Sequence, residues 1–224
     1  DVVKLLLSIP MAHQLIGYYT VADDSDGVLK VMRSYQYFAA SRISDRVTKI
    51  DRDKLWGAKG LKGGYVWHTT GSGKTMTSFK CAQLIANSKD ADKVVFLVDR
   101  IELGTQSLEQ YRSFASATEA VQQTENTDVL KAKLKSSDPS DTLIVTSIQK
   151  MGNIDEDAMS AVDLEAIRKK RMVFIVDECH RSTFGKNMET IRRVFPSAVM
   201  FGFTGTPIHE ENRKKLSTTT DVFG

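Results

Sequence analysis

Residues 66–75 read VWHTTGSGKT: an apolar pair runs into a turn of Thr, Gly and Ser that ends in Lys74-Thr75. A phosphate-binding loop is written Gly, four residues, then Gly-Lys-Ser/Thr. The frame from His68 to Thr75 fits it, except that His68 stands where the first Gly is expected. Gly71 and Gly73 let backbone N–H groups turn inward with no Cβ in the way. Beyond the loop, Met76, Phe79, Leu84 and Ile85 recur at helical spacing from Lys74 to Asn87, so the loop opens a helix whose amino end favours an anion. Before it, GYVWH (64–68) has the composition of a strand. Strand, glycine turn and helix in that order decide for a phosphate cradle over a plain Gly/Ser turn. Thr70, Gly71, Ser72, Gly73, Lys74 and Thr75 then form the phosphate-binding loop, with Lys74 reaching the β- and γ-phosphates and Thr75 ligating Mg²⁺.

Outward from the loop, strands of the same kind recur at KVVFLV (93–98), TLIVTS (142–147), MVFIVD (172–177) and AVMFGF (198–203). They are near-continuous apolar runs, as expected of parallel strands covered on both faces. Helical patterns fall between them, at about 104–114 and at 186–195 before Pro196. The alternation predicts an α/β fold: a doubly wound, mostly parallel sheet with helices on both faces. Such sheets bind ligands at the carboxyl ends of their strands. Residues 1–60 read differently. Tyr35, Phe38, Ala39, Ile43, Val47 and Ile50 mark an amphipathic helix over 33–50, after the turn DDSDG (23–27) and the short strand VLKVM. This region is expected to form a small appended layer. Residues 116–141 and 151–163 are polar connections with one helix each.

Two more strand ends carry chemistry. MVFIVDECHRS (172–182) ends its strand in Asp177-Glu178: Asp177 is suited to hold Mg²⁺ through the ion's water shell, and Glu178 to accept a proton from an attacking water. AVMFGFTGTPI (198–208) ends its strand in Thr204-Gly205-Thr206-Pro207, whose hydroxyls could bond the acidic motif and sense the γ-phosphate.

The composition excludes other classes. Lys and Arg number 31 against 28 Asp and Glu, a balance that permits a nucleic-acid partner without arguing for one. Cys81 and Cys179 lie far apart with no CxxC or Cys/His cluster, which argues against a disulfide scaffold or a zinc site. The tight apolar run at 94–98 is too short to span a bilayer. The start, DVVKLLLSIP, lacks the pattern of a signal peptide. The chain is therefore expected to be cytoplasmic, and it reads as a piece of a longer protein.

GSGKT, DECH and TGTP, in that order and each after a strand, resemble motifs I, II and III of superfamily 2 helicases and translocases. WHTTGSGKT, VDRIELGTQ (98–106), TSIQK (146–150), DECHRS and GFTGTPI together resemble the motor subunit of type I restriction–modification enzymes, most clearly from Val31 onward. The resemblance implies a RecA-like lobe using ATP and Mg²⁺, whose work is to translocate double-stranded DNA before an attached nuclease cuts. It implies DNA-backbone contacts at Arg100, Gln106, Thr146, Gln149 and Lys150, with phosphate-bonding groups that position a strand without reading sequence. It implies an adenine-sensing role for Gln36 and a coupling role for His180 beside Thr204 and Thr206. The implied partners are duplex DNA, the methylation and specificity subunits, and a second RecA-like domain carrying the transition-state arginine. The implied division is an appended segment (1–60), the first RecA-like domain (61–210) and the start of a linker (211–224), with the nuclease residues outside this chain. A DExH-type RNA helicase lobe is the alternative within the class. A nucleotide-gated assembly module is the alternative outside it, disfavoured because Glu178 would be needless in a pure switch. The basic runs KAKLK (131–135) and RKKR (168–171) are read as solvated faces rather than DNA contacts.

Overall fold

The computed structural model of the chain describes residues 8–23, 26–69, 71–98, 122–123, 126–154, 159–177, 184–207, 219 and 223. Six strands form one sheet: β3 (Gly64–Trp67), β4 (Lys93–Val98), β5 (Gln122–Gln123), β6 (Leu143–Ser147), β7 (Met172–Val176) and β8 (Val199–Thr204). Their order is β3-β8-β7-β4-β6-β5, and every pairing in this sheet is parallel. The five strands expected from sequence are present within a residue or so of their expected ends. The two-residue β5 carries no apolar run and was not expected.

The uniform apolar runs have their physical reason in the layering. Along β4, Val94 and Phe96 enter one core while Val95 and Leu97 enter another, because successive side chains point to opposite faces. The first core is closed by α2 (Ser34–Arg52) and α3 (Lys74–Ser88). The second is closed by α4 (Thr127–Lys135), α5 (Ile148–Gly152), α6 (Ala161–Arg168) and α7 (Phe184–Val194). Each fully buried Leu, Ile or Phe in these layers contributes about 1.5–3 kcal/mol. The architecture is the doubly wound α/β sheet that the strand–helix alternation predicts, with helices on both faces.

The appended layer differs from its expectation in one respect. α1 (Ile9–Tyr18) and the antiparallel pair β1 (Thr20–Asp23) and β2 (Val28–Val31) do form a small outer layer. α2 does not belong to it: Ala40, Ile43, Val47 and Ile50 are buried in the first core.

The run RKKR (168–171) is not a free solvated face. Arg168 donates to the carbonyls of Val194 (2.8 Å) and Arg193 (3.3 Å), and Lys170 to those of Lys135 and Ser136 (2.9 and 2.5 Å). Arg171 pairs with Asp51 and Asp92, each at 2.7 Å. These cations fasten the amino edge of the sheet, where β7 begins, opposite the edge that carries the motifs. Burial pushes the Cys81 thiol well above its ordinary value, as befits a small packing residue of α3.

Candidate functional site

β3 ends at Trp67, the loop runs through His68–Gly73, and α3 begins at Lys74. Gly71 (φ 77°) and Gly73 (φ 76°) both lie in the left-handed region, where a side chain would be strained. A Cβ at Gly73 would also sit 2.5 Å from Nε2 of Gln36, so the Gln36 amide would have to shift away. The Ser72 N–H donates to the Thr69 carbonyl (3.2 Å), and the Thr77 N–H to that of Gly73 (3.0 Å), closing the turn onto the first turn of α3. Thr70 lies outside the described residues. Lys74 and Thr75 are half-buried at the amino end of α3.

Two buried polar atoms of the loop, the Ser72 hydroxyl oxygen and Nδ1 of His68, have no hydrogen-bond partner among the described residues. Unpartnered groups of this kind carry a desolvation cost of about 1–3 kcal/mol each, which a phosphate oxygen could relieve at Ser72. His68 is held below its ordinary pKa, first by burial and then by the neighbouring Lys74, so its ring stays neutral at pH 7. It packs edge-to-face with Tyr35 and Phe203, which gives the departure from the usual first glycine a structural role.

Gln36 is only 2% exposed. Its Nε2 donates to the carbonyls of Ser72 (3.2 Å) and Gly73 (3.3 Å), and its Oε1 accepts the Arg33 N–H (2.8 Å). The amide expected to face adenine also bonds the loop and the start of its own helix. Tyr35, which sequence reasoning passed over, donates its hydroxyl to Ser72 O at 2.8 Å. Its signal was available only as one aromatic among several on an amphipathic helix. A cavity of about 350 Å³ opens between these residues and the loop, lined by Lys30, Val31, Arg33, Gln36, Gly71, Ser72, Gly73 and Met76. A larger cavity of about 790 Å³, between α1–β1 and the α2–α3 pair, contains none of the motif residues.

The other candidates lie along the same edge of the sheet, in strand order. Thr204, fully buried at the end of β8, accepts the Thr206 N–H on its hydroxyl at 3.0 Å. Asp177, 9% exposed, follows β7, and its N–H donates to the Leu97 carbonyl at 3.0 Å. Thr146 is buried near the end of β6, and the Ser147 hydroxyl caps α5 by accepting the Lys150 N–H at 3.2 Å. That cap places Gln149 and Lys150 in the first turn of a short helix not expected from sequence. Phosphate loop, Thr204 turn, Asp177 and Thr146 therefore share the carboxyl edge, with β8, β7 and β4 between the first and the last. Glu178, His180, Arg100 and Gln106 lie outside the described residues. Among the described residues no cluster of three metal-ligating side chains occurs, and no helix is long and apolar enough to cross a membrane.

A family model described as SWI2/SNF2 ATPase matches residues 35–224. The type I restriction enzyme SsaAORF53P endonuclease subunit of Staphylococcus saprophyticus is 40% identical over 212 residues, which cover 94% of this chain and 21% of that subunit. The chain thus spans about a fifth of that relative's length. The C-terminal part of the type I restriction enzyme MpnIIP endonuclease subunit of Mycoplasma pneumoniae is 41% identical over 171 residues, covering 76% of this chain and 82% of that protein. Among solved structures, the Sulfolobus solfataricus SWI2/SNF2 ATPase core in complex with dsDNA shares the fold at a TM-score of 0.53 and 16% identity, covering 87% of this chain and 34% of that one. With a RecA-like sheet and a phosphate loop at its carboxyl edge, the chain belongs to the SWI2/SNF2 ATPase family and groups with the endonuclease subunits of type I restriction enzymes.

Proposed function

We propose that this chain is the first ATPase lobe of a motor that translocates double-stranded DNA within a type I restriction enzyme. The observation that carries the reading is the phosphate loop, with two left-handed glycines and a buried Ser72 hydroxyl that lacks a partner among the described residues, on the same sheet edge as Asp177. Bound Mg-ATP supplies the scissile phosphoanhydride and a cation that screens its charge. Gly71, Ser72, Gly73 and Thr70 wrap the phosphates, and Lys74 at the head of α3 neutralises them. Thr75 and Asp177 would hold Mg²⁺, which screens the phosphate charge when bound, and Glu178 would take the proton of the attacking water. Thr204, Thr206 and His180 couple the site to the track, on which Arg100, Gln106, Thr146, Gln149 and Lys150 meet the phosphodiester backbone. The dsDNA bound by the Sulfolobus core supports duplex DNA as that track.

The cavity beside Gln36 is the place for the base. Its lining of Val31 and Met76 with Arg33 and Gln36 offers apolar faces and polar edges to adenine. The motor further requires a second RecA-like domain, for which residues 211–224 begin the linker, and it works with methylation and specificity subunits in the cytoplasm. An arginine from that second domain contributes roughly 10³-fold or more in rate, so this 224-residue chain by itself binds ATP and turns it over slowly.

Steady-state ATPase of the intact protein, measured alone, with linear duplex DNA and with RNA, tests the reading. Stimulation by duplex DNA that vanishes in Lys74→Ala is expected. Stimulation by RNA alone would make the chain an RNA helicase lobe, and stimulation by neither would overturn the motor.

A further inference from the structure

We propose that Trp67 is a positioning residue that ties the phosphate loop to the turn after β8, so that nucleotide at one is felt at the other. The inference rests on the ATPase reading above. β3 lies at the end of the sheet and pairs with β8. The last register pair is Trp67 with Thr204, and the His68 N–H closes the ladder on the Thr204 carbonyl at 2.9 Å. Past that pair the two chains part, one into the loop of Gly71 and Gly73, the other into Gly205–Pro207. The indole N–H of Trp67 spans the parting and donates to the Gly205 carbonyl at 3.1 Å. The same Gly205–Thr206 peptide is held at its other end, where the Thr206 N–H donates to the Thr204 hydroxyl.

Burial separates this role from packing. Trp67 is 61% exposed, whereas a tryptophan retained to fill a core would be covered. Most of its apolar surface stays in water, so its distinctive contribution is the directed N–H bond, for which Phe and Val have no donor. One peptide separates Trp67 from His68, the first residue of the loop. A backbone movement at the loop therefore reaches Gly205 through the Trp67 side chain, beside the backbone bond from His68 to Thr204.

The test compares wild type with Trp67→Phe in the intact protein, a change that keeps an aromatic ring and removes the donor. DNA-stimulated kcat is expected to fall about tenfold, the effect of one lost hydrogen bond. KM for ATP and the DNA-free rate are expected to stay within about twofold, since no phosphate contact is lost. The exposed ring predicts an unchanged melting transition, which checks that the variant folds. The emission difference between wild type and variant isolates Trp67, and it is expected to shift on adding ATP. A variant with wild-type stimulated kcat, or a loss residing entirely in KM, would overturn the inference. If wild type shows no DNA stimulation, the motor reading fails by itself. The fluorescence then decides: an ATP-dependent shift sustains the tie, and its absence overturns it.

Discussion

Nε2 of Gln36 donates to the carbonyl oxygen of Ser72 at 3.2 Å, joining the first turn of α2 to the phosphate loop across 36 residues of sequence. Because Oε1 of the same amide accepts the Arg33 N–H, one side chain holds the loop, the start of α2 and a wall of the neighbouring cavity in fixed relation. Gln36→Ala removes all three bonds and leaves carbonyl and amide groups to find new partners, at a stability cost of about 1–2 kcal/mol. The expected result is a KM for ATP raised about five- to tenfold with a smaller fall in kcat, since the loss lies in binding. Paired KM values for ATP and GTP check the base assignment. A variant that keeps full preference for ATP would remove Gln36 from adenine recognition and leave it only the loop contact.

At Gly73 a side chain would meet both backbone strain and the Gln36 amide. Gly73→Ala forces a left-handed φ on alanine, costing about 1–2 kcal/mol, and drives its Cβ toward Nε2 of Gln36. ATP binding is expected to fall at least tenfold while the circular dichroism spectrum is retained, because the sheet does not depend on this residue. Equilibrium titration with a fluorescent ATP analogue measures it. Wild-type affinity would mean that the loop adopts another conformation when nucleotide is bound.

Arg171 fastens α2 to the amino edge of the sheet through Asp51 and Asp92. The Arg171 hydrogen bond lowers the Asp51 pKa; at Asp92 burial pushes the other way, and the Arg171 bonds outweigh it. Both carboxyls are thus depressed in the folded state. Their stabilisation is complete above the unfolded value of about 4 and is lost as pH falls through the folded values. Arg171→Ala is expected to cost about 1 kcal/mol at neutral pH, discounted because the groups are about one-third exposed. Urea midpoints at pH 7 and pH 3 should differ less in the variant than in wild type. Equal pH dependence in the two proteins would show that the ion pairs contribute nothing.

Lys93 gives a signature of the same sign in a more alkaline window. It is almost fully buried at the start of β4, its Nζ donating to the Asp141 carbonyl at 2.7 Å. Burial, with the nearby Lys170 adding to it, lowers its pKa to about 8. Between about pH 8 and its unfolded value near 10.4 the unfolded chain holds the extra proton, so this group's contribution rises with pH. Wild type should therefore gain on Lys93→Met by up to about 1 kcal/mol per pH unit across that window. Taking the difference between the two proteins cancels the other groups, such as Tyr19, that titrate at high pH. A difference that stays flat from pH 7 to pH 10 would disprove the assignment.

The path from sequence to fold was short for the strands. VVFLV, LIVTS and MVFIV read as strands because helices cover both faces of the sheet, so every position must be apolar, and the run stands out with no tertiary knowledge. The glycine spacing of the loop was legible for a similar reason. Gly71 and Gly73 answer a backbone demand that is local to the loop.

The contacts around the loop were not legible in this way. Tyr35 and Gln36 read as members of an amphipathic helix, and Trp67 as the end of a strand. Nothing in their periodicity says that a hydroxyl, an amide and an indole reach Ser72, Gly73 and Gly205, 36 to 138 residues away. RKKR read as a solvated charge run because charge patterning carries no information on which carbonyls and carboxylates will stand opposite. Two-residue β5 was beyond reach because so short a strand has no period. By itself the sequence determined where strands and the glycine turn of residues 71–73 lie, since apolar burial and backbone conformation are local requirements. Only the tertiary structure decided that α2 belongs to the core and braces the loop, because that depends on which distant surfaces the folded sheet brings within hydrogen-bonding distance.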